Sequence, residues 1–587
     1  MSRSFVILSC EFRKSATILT CLTALPDYSL RTLRGAGQVL RSSIFTKGHK
    51  MKRRLLLSTV LGLALMHPAF AASPQAGEKL SDNQTYTFRM LDAVKTLDPT
   101  LIDSVDDQDV SRSLFEGLFN ETSDGSLEPG VATGFDLSED KTTYTFHLRP
   151  EAKWSNGDPV TAGDFVYAWQ RLADPATASE YAWYLELAQV VNAGDITAGK
   201  AKPADLGVKA IDDHTFEVKL IAPLPFFPKM TPNASLFPIH KATVEKFGAD
   251  WTKPENIVGN GAYLLKEHIL GEKVVMERNP TYWDNAHTVI NTVIGVTIND
   301  ENAGLTRFLA GEVDRTDVPA GQYPQMLKEH PDMAHSTPYS CSYGFVFNMT
   351  PKGNPALQDV RVRKALAYAV NRDILVDNVL QGGQKPAYNW THWAMNGFKM
   401  PDIDYSHWTQ EERDTKAKAL MAEAGYGPDH PLTIQYIYNT SEAHQKIAAA
   451  TAQMWKQTLG VDLVISNMEW KVFTDKRQAQ DFELARTAWC ADYNEASTFL
   501  DFLASYSGNN DGKYSNPEYD KLLKESKTAA DANVMYTEAE TILANDMPVI
   551  PVYHYAKVDM IQPNIHGLPD KNVMQSWYAK NIYRVAE

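Results

Sequence analysis

A mixed α/β protein built in several lobes is the fold class that the sequence predicts, and three observations predict it. The chain has 587 residues, of which 44% are hydrophobic and 10% aromatic, more apolar material than one ordinary domain buries. No internal repeat or low-complexity stretch interrupts it. Turn residues punctuate short strand-like and helix-like runs that follow one another in mixed order. Its 72 Asp and Glu against 57 Lys and Arg leave a net charge of −15, which argues against a nucleic-acid partner, because a phosphate backbone calls for a cationic surplus. An anionic membrane surface is a poor partner on the same ground.

In chain order, residues 1–50 precede a plausible start at Met51 and read as an upstream mis-start. Residues 51–71 read as a secretory signal: Met51-Lys52-Arg53-Arg54 is basic, Leu55 to Met66 is largely apolar, and Ala69-Phe70-Ala71 supplies the small residues of a cleavage site near Ala71. The apolar run is too short to span a membrane and Pro68 ends it. An exported chain that is not membrane-inserted is therefore expected. Residues 1–71 hold eleven Lys/Arg against two Asp/Glu, so the remainder carries −24. Cys10 and Cys21 fall in the discarded part, leaving Cys341 and Cys490. An oxidising compartment would pair them, although sequence separation also allows two separate buried thiols.

Thr142 to Arg149 alternates as a strand does, and Thr161 to Leu172 follows as a helix capped by Thr161. A helix from about Asp359 places Val362, Ala365, Leu366, Ala369 and Val370 on one buried stripe. Another starts near Ser441, with Ile447, Ala450, Met454, Trp455 and Leu459 on its stripe, His444 in its first turn and Gly460 to stop it. Phe482 to Tyr493 reads as a strand whose even positions include both Arg486 and Asp492. Opposite charges facing one way about 20 Å apart permit an extended ligand with charged ends without requiring one, and parity alone favours two separately satisfied structural charges.

Signatures of catalysis are missing. Neither a His-Glu-x-x-His zinc motif nor a Gly-x-Ser-x-Gly elbow nor a Gly-rich phosphate loop occurs, and the His are scattered without a ligand pair. No catalytic residue, metal or cofactor is expected. An exported hydrolase and a periplasmic chaperone are the rival classes.

The remaining signal is a set of motifs: Leu114-Phe115-Glu116-Gly117-Leu118, Trp154-Ser155-Asn156-Gly157-Asp158-Pro159, Asn260-Gly261-Ala262-Tyr263, Asn279-Pro280-Thr281-Tyr282-Trp283-Asp284-Asn285 and Asp359-Val360-Arg361-Val362-Arg363-Lys364-Ala365-Leu366. Together they resemble the peptide-type extracellular solute-binding proteins of ABC importers over residues 75–587. Trp489-Cys490-Ala491-Asp492-Tyr493-Asn494-Glu495 points to the oligopeptide-binding branch. The murein-peptide carriers are the runner-up, although they typically lack the paired Cys.

The resemblance implies a three-lobed, venus-flytrap periplasmic binding fold with a hinge between lobes I and III. Lobe I would comprise 72–116, 241–340 and 560–587, lobe II 117–240 and lobe III 341–559. It also implies short peptides of about two to five residues as ligands, an inner-membrane ABC permease as partner, a monomer and the periplasm. By resemblance Asp492 receives the peptide ammonium, and Arg477, Arg486 and His444 offer alternative cations at graded depths for its carboxylate. Val105 and the segment Ala488, Trp489, Cys490 would meet its backbone, while Tyr181, Trp470 and Trp489 wall its pockets. Ala488 replaces a Gly of the close relative, and Asp103 replaces a Glu that makes a lobe-closing contact. A carboxylate accepts charge-assisted bonds and an Arg fork matches a carboxylate, so these assignments agree with elementary chemistry.

Overall fold

The computed structural model describes residues 72, 74–75, 77–529 and 531–586. The upstream segment, the signal, the cleavage near Ala71, Cys10 and Cys21 lie outside the described residues. The described chain is mixed α/β, as its pattern predicts.

Among the described residues one sheet of eleven strands organises the molecule. Its spatial order is Asp462–Met468, Thr433–Asn439, Leu484–Cys490, Ala334–Phe347, Val549–Ile561, Arg315–Asp317, Thr85–Met90, Thr292–Thr297, Lys273–Arg278 and Tyr263–Ile269, with Lys385–Pro386 paired beside Val549–Ile561. Ala334–Phe347 has 14 residues and Val549–Ile561 has 13, and this antiparallel pair runs through the middle. Parallel pairing flanks it on both sides, Thr85–Met90 with Thr292–Thr297 and Thr433–Asn439 with Asp462–Met468. A second, antiparallel sheet holds Ala132–Leu137, Thr143–Leu148, Thr215–Lys219 and Val208–Asp212. Helix Ala162–Ala173 covers it, closed at its start by a capping box of Thr161 and Asp164 and burying Phe165, Trp169 and Leu172.

The motifs that carry the resemblance are mostly joints of the fold. Glu116 is buried, and its carboxylate accepts from Tyr282 at 2.5 Å, Trp283 at 2.6 Å and Asn120 at 2.9 Å, with Lys580 at 3.3 Å. Its backbone N–H and carbonyl are both taken by the side chain of Asn260, at 3.0 and 2.9 Å. Gly261 next to it is pressed on the chain at Ser113 and Leu114, where a Cβ would fall 2.5 Å from a carbonyl oxygen. Three separate motifs thus fasten one another around a single buried acid.

Two elements end earlier than their patterns suggest. The helix capped by Asp359 spans Val360–Tyr368, so Ala369 and Val370 stay buried but leave the helix. Arg372 accounts for this: fully buried, it takes the carbonyls of Ala367 and Val370 as acceptors, along with those of Ala387 and Pro551. The predicted strand of 482–493 is regular only over Leu484–Cys490, and the chain then turns. Helix Glu442–Leu459 runs as its pattern predicts, from Ser441 to a left-handed Gly460 at φ +71°. Its buried face centres on Ala448 and Thr451, with Ala450 and Met454 at the margin. Near the two ends of the described residues, Leu80 bridges to Val585, and Ala586 N–H donates to the Lys79 carbonyl at 2.7 Å.

Candidate ligand-binding site

Strand Leu484–Cys490 sets up the site by what leaves it uncovered. Along one edge it pairs with Ala334–Phe347 over its full length, Phe347 opposite Leu484 through to Cys341 opposite Cys490. On the other edge Thr433–Asn439 reaches only Leu484 and Ala485. The backbone from Arg486 to Cys490 is therefore a free sheet edge, with donors and acceptors available to an extended chain. Cys341 and Cys490 are disulfide-bonded across the covered edge, with Cα atoms 3.9 Å apart, which fixes the end of the strand.

A cavity of about 460 Å³ opens beside this strand. It gathers every residue that the sequence nominated for ligand contact: Asp103, Val105 and Tyr181 from the first third of the chain; His444, Trp470 and Arg477; and Arg486, Ala488, Trp489, Cys490 and Asp492.

Asp492 lies just past the strand, where its N–H donates to Thr498 Oγ1 at 3.0 Å. Its Oδ1 accepts from the Tyr181 hydroxyl at 3.2 Å and from Asn233 Nδ2 at 3.0 Å, whereas the buried Oδ2 has no partner. Burial pushes this carboxyl up to about 7. A half-satisfied acid of this kind calls for a donor from outside the protein, and an ammonium is the strongest.

Arg486 is the complement. Its Nη2 donates to the Tyr555 hydroxyl at 3.3 Å, its guanidinium lies 5.5 Å from the Tyr343 ring, and Nε has no partner. Among the described residues no carboxylate pairs with it within 4.0 Å. Arg477, in contrast, is engaged by Asp511 at 2.7 Å, although its Nε is also free. His444 is buried with its ring 5.4 Å from Tyr343 and Nδ1 unpartnered; burial, then Arg486, holds it well below the ordinary imidazole range, so in the empty site it is a neutral donor and not the cation the resemblance implies. Trp470 and Trp489 keep their buried indole N–H groups unpartnered. Val105 opens helix Val105–Leu114, whose first N–H groups have no acceptor within the helix. Asp103 is held by Lys95 at 2.8 Å.

Sequence reading missed Asn233, Asp511, Tyr555 and the cavity acids Asp92 and Asp106. No recognisable motif marks them, although Asp106 shares a short stretch with Asp103, Asp107 and Asp109, and only the fold delivers each to the site. Among the described residues no group of His, Cys, Asp and Glu could hold a metal ion, and no helix is long and apolar enough to cross a membrane.

Residues 126–511 match the model for the bacterial extracellular solute-binding proteins, family 5 (middle region). The chain belongs to that family. It is a binding protein and not an enzyme. The chain is 44% identical to the periplasmic oligopeptide-binding protein OppA of Salmonella typhimurium, over 91% of this chain and 98% of that one. It is 43% identical to the periplasmic murein peptide-binding protein MppA of Escherichia coli, over 88% and 96%.

Solved structures agree on the fold. That of Escherichia coli MppA matches with a TM-score of 0.85 at 42% identity, covering 86% of this chain and all of that one. Haemophilus influenzae OppA in complex with the peptide RPPGFSPFR matches at 0.83 and 40%, with the same coverage. The unliganded open form of an MppA murein tripeptide-binding protein matches at only 0.63, again at 42% identity, over 87% and 99%. At equal identity, the present structure superposes less well on the open form.

Proposed function

We propose that this chain is the periplasmic, monomeric binding component of an ABC importer, which captures short peptides in extended form and delivers them to an inner-membrane permease. The observation that carries the reading is the free sheet edge at Arg486–Cys490, set between an unpartnered carboxylate oxygen on Asp492 and an unpaired guanidinium on Arg486. A peptide supplies the complement of all three: an ammonium, a row of amides and a carboxylate. Arg477 and His444 serve as alternative carboxylate partners for ligands of other lengths, and Val105 offers backbone donors from the facing wall. Tyr181, Trp470, Trp489 and Ala488 line side-chain space in which bridging water adapts to varied residues. Capture is the closure of lobe I (72–116, 241–340, 560–587) on lobe III (341–559) about a hinge, with lobe II (117–240) alongside.

Calorimetry with unmodified, N-acetylated and C-amidated versions of the same tri- and tetrapeptides tests this. The unmodified peptides bind best, and each blocked end weakens binding; indifference to both blocks sinks the reading. The likeness to MppA supports a second reading, a murein-peptide carrier. A murein tripeptide in the same titration distinguishes the two by outcompeting ordinary tripeptides.

A further inference from the structure

Capture of an ammonium needs a carboxylate that is charged and already turned toward its ligand. In Asp492 neither property is set by its own strand, which ends at Cys490. The side chain is held instead from the proposed lobe II: Asn233, 259 positions earlier in the chain, donates through Nδ2 to Oδ1 at 3.0 Å, and the Tyr181 hydroxyl donates to the same oxygen at 3.2 Å.

Asn233 is built to aim this bond. It is 3% exposed and caps the short turn Ala234–Leu236, where its Oδ1 accepts the Ser235 N–H at 3.0 Å and the Ser235 hydroxyl at 2.8 Å. A backbone donor on Oδ1 fixes which end of the amide is which, so Nδ2 has to face Asp492. The turn is fastened on both sides. The Met230 carbonyl accepts the Asn233 N–H at 3.3 Å and the Tyr184 hydroxyl at 3.1 Å, and the Leu236 carbonyl accepts Trp169 Nε1 at 2.9 Å. An amide NH2 donates and cannot accept, so it favours the ionised carboxylate over the acid. With Oδ1 taken by two donors, the buried Oδ2 is the acceptor left over. The other titratable groups near Asp492 act only at a distance: Arg112, paired with Asp109 at 2.8 Å, and Tyr184.

We propose that Asn233 is a positioning residue for peptide capture: from lobe II it takes Oδ1 of Asp492, and so keeps that carboxylate charged with Oδ2 turned to the peptide ammonium. The proposal rests on the peptide-binding reading and gives lobe II, which stands alongside the closing pair, a part in it. The titration of the carboxyl agrees. Burial raises it to about 7, and the bonds from Tyr181 and Asn233 pull against burial. Without Asn233 it rises further, and the acid limb of binding moves up in pH.

The test is titration calorimetry of Ala-Ala-Ala and its N-acetylated form between about pH 6 and 8, with wild type, N233S, D492N and N233S/D492N. Serine still caps the turn but is too short to reach Asp492. N233S should bind the unmodified peptide about fivefold to tenfold more weakly at neutral pH, with the acid limb displaced upward by about one pH unit and the N-acetylated peptide unaffected. In the D492N background the serine should add no further loss, because Asn233 acts through that carboxylate. A residue needed only for the turn gives a different pattern, equal losses for both peptides or a loss that persists beside D492N. Either overturns the proposal while terminal capture stands, and so does an unmoved acid limb. If no peptide binds the wild type, both readings fall. Should N233S fail to fold, N233G, which costs a cap little, decides by the same readouts.

Discussion

The carboxylate of Asp492 gives one oxygen to Tyr181 and Asn233 and keeps the other for the cavity. Its pH behaviour follows. Raised to about 7 in the empty site, it must be ionised to hold an ammonium. Affinity for free-amine peptides should therefore fall as pH drops below 7, by up to about tenfold per unit, until the pKa of the complex is reached. Above about pH 8 the peptide's own ammonium titrates, so binding peaks between the two. D492N should remove this acid slope and weaken unmodified peptides by about 1.5–3 kcal/mol, while N-acetylated peptides show neither change. Equal losses for both classes exclude Asp492 as the ammonium partner.

Helix Glu442–Leu459 shows how one cap serves two purposes. Ser441 accepts the His444 N–H at 3.5 Å and donates to Glu301 Oε1 at 2.9 Å, so the residue that starts the helix also ties it to helix Glu301–Leu309. S441A should lower stability by about 1 kcal/mol in denaturant melts and displace His444. The disulfide plays a similar part for strand Leu484–Cys490. Closing a separation of 149 residues, it stabilises by at most about 5 kcal/mol in the chain-entropy model. Cys490→Ser, or reductant on the wild type, should lower the melting temperature by similar amounts, and an unchanged melt on reduction would remove the bond from the stability account.

At this scale much was legible. The Thr161 and Ser441 caps, the Gly460 stop and the alternation at Thr143–Leu148 are local signals, and local physics obeyed them. The early end of the helix at Tyr368 was not, because Arg372 captures carbonyls from four separate places. Nor was Asn233, which meets Asp492 from 259 positions earlier in the chain, or the turn that still leaves Asp492 facing the cavity of its strand. The site residues were found by resemblance to a family, not by pattern. Parity along 482–493 supplied only the weaker hint that Arg486 and Asp492 face the same way.

Across the whole molecule, contacts between distant segments of the chain bear on closure. Asn302 Nδ2 donates to both oxygens of Glu442 at 2.7 and 2.6 Å, and Lys446 Nζ donates to the Ala320 carbonyl at 2.8 Å. In the proposed lobes these bonds join I to III and exist only when the two are together. N302A should therefore weaken peptide binding by roughly twofold to fivefold without altering any ligand contact, and small-angle scattering should show a larger radius for the peptide-free variant. An unchanged affinity and radius would detach this contact from closure.

The seam where Leu80 meets Val585 has a practical use. Because residues 79 and 586 already share a hydrogen bond, a short Gly-Ser tether can splice them, and fresh termini can be cut into an exposed loop elsewhere. A reporter pair placed at those new ends would turn cargo capture into an optical signal.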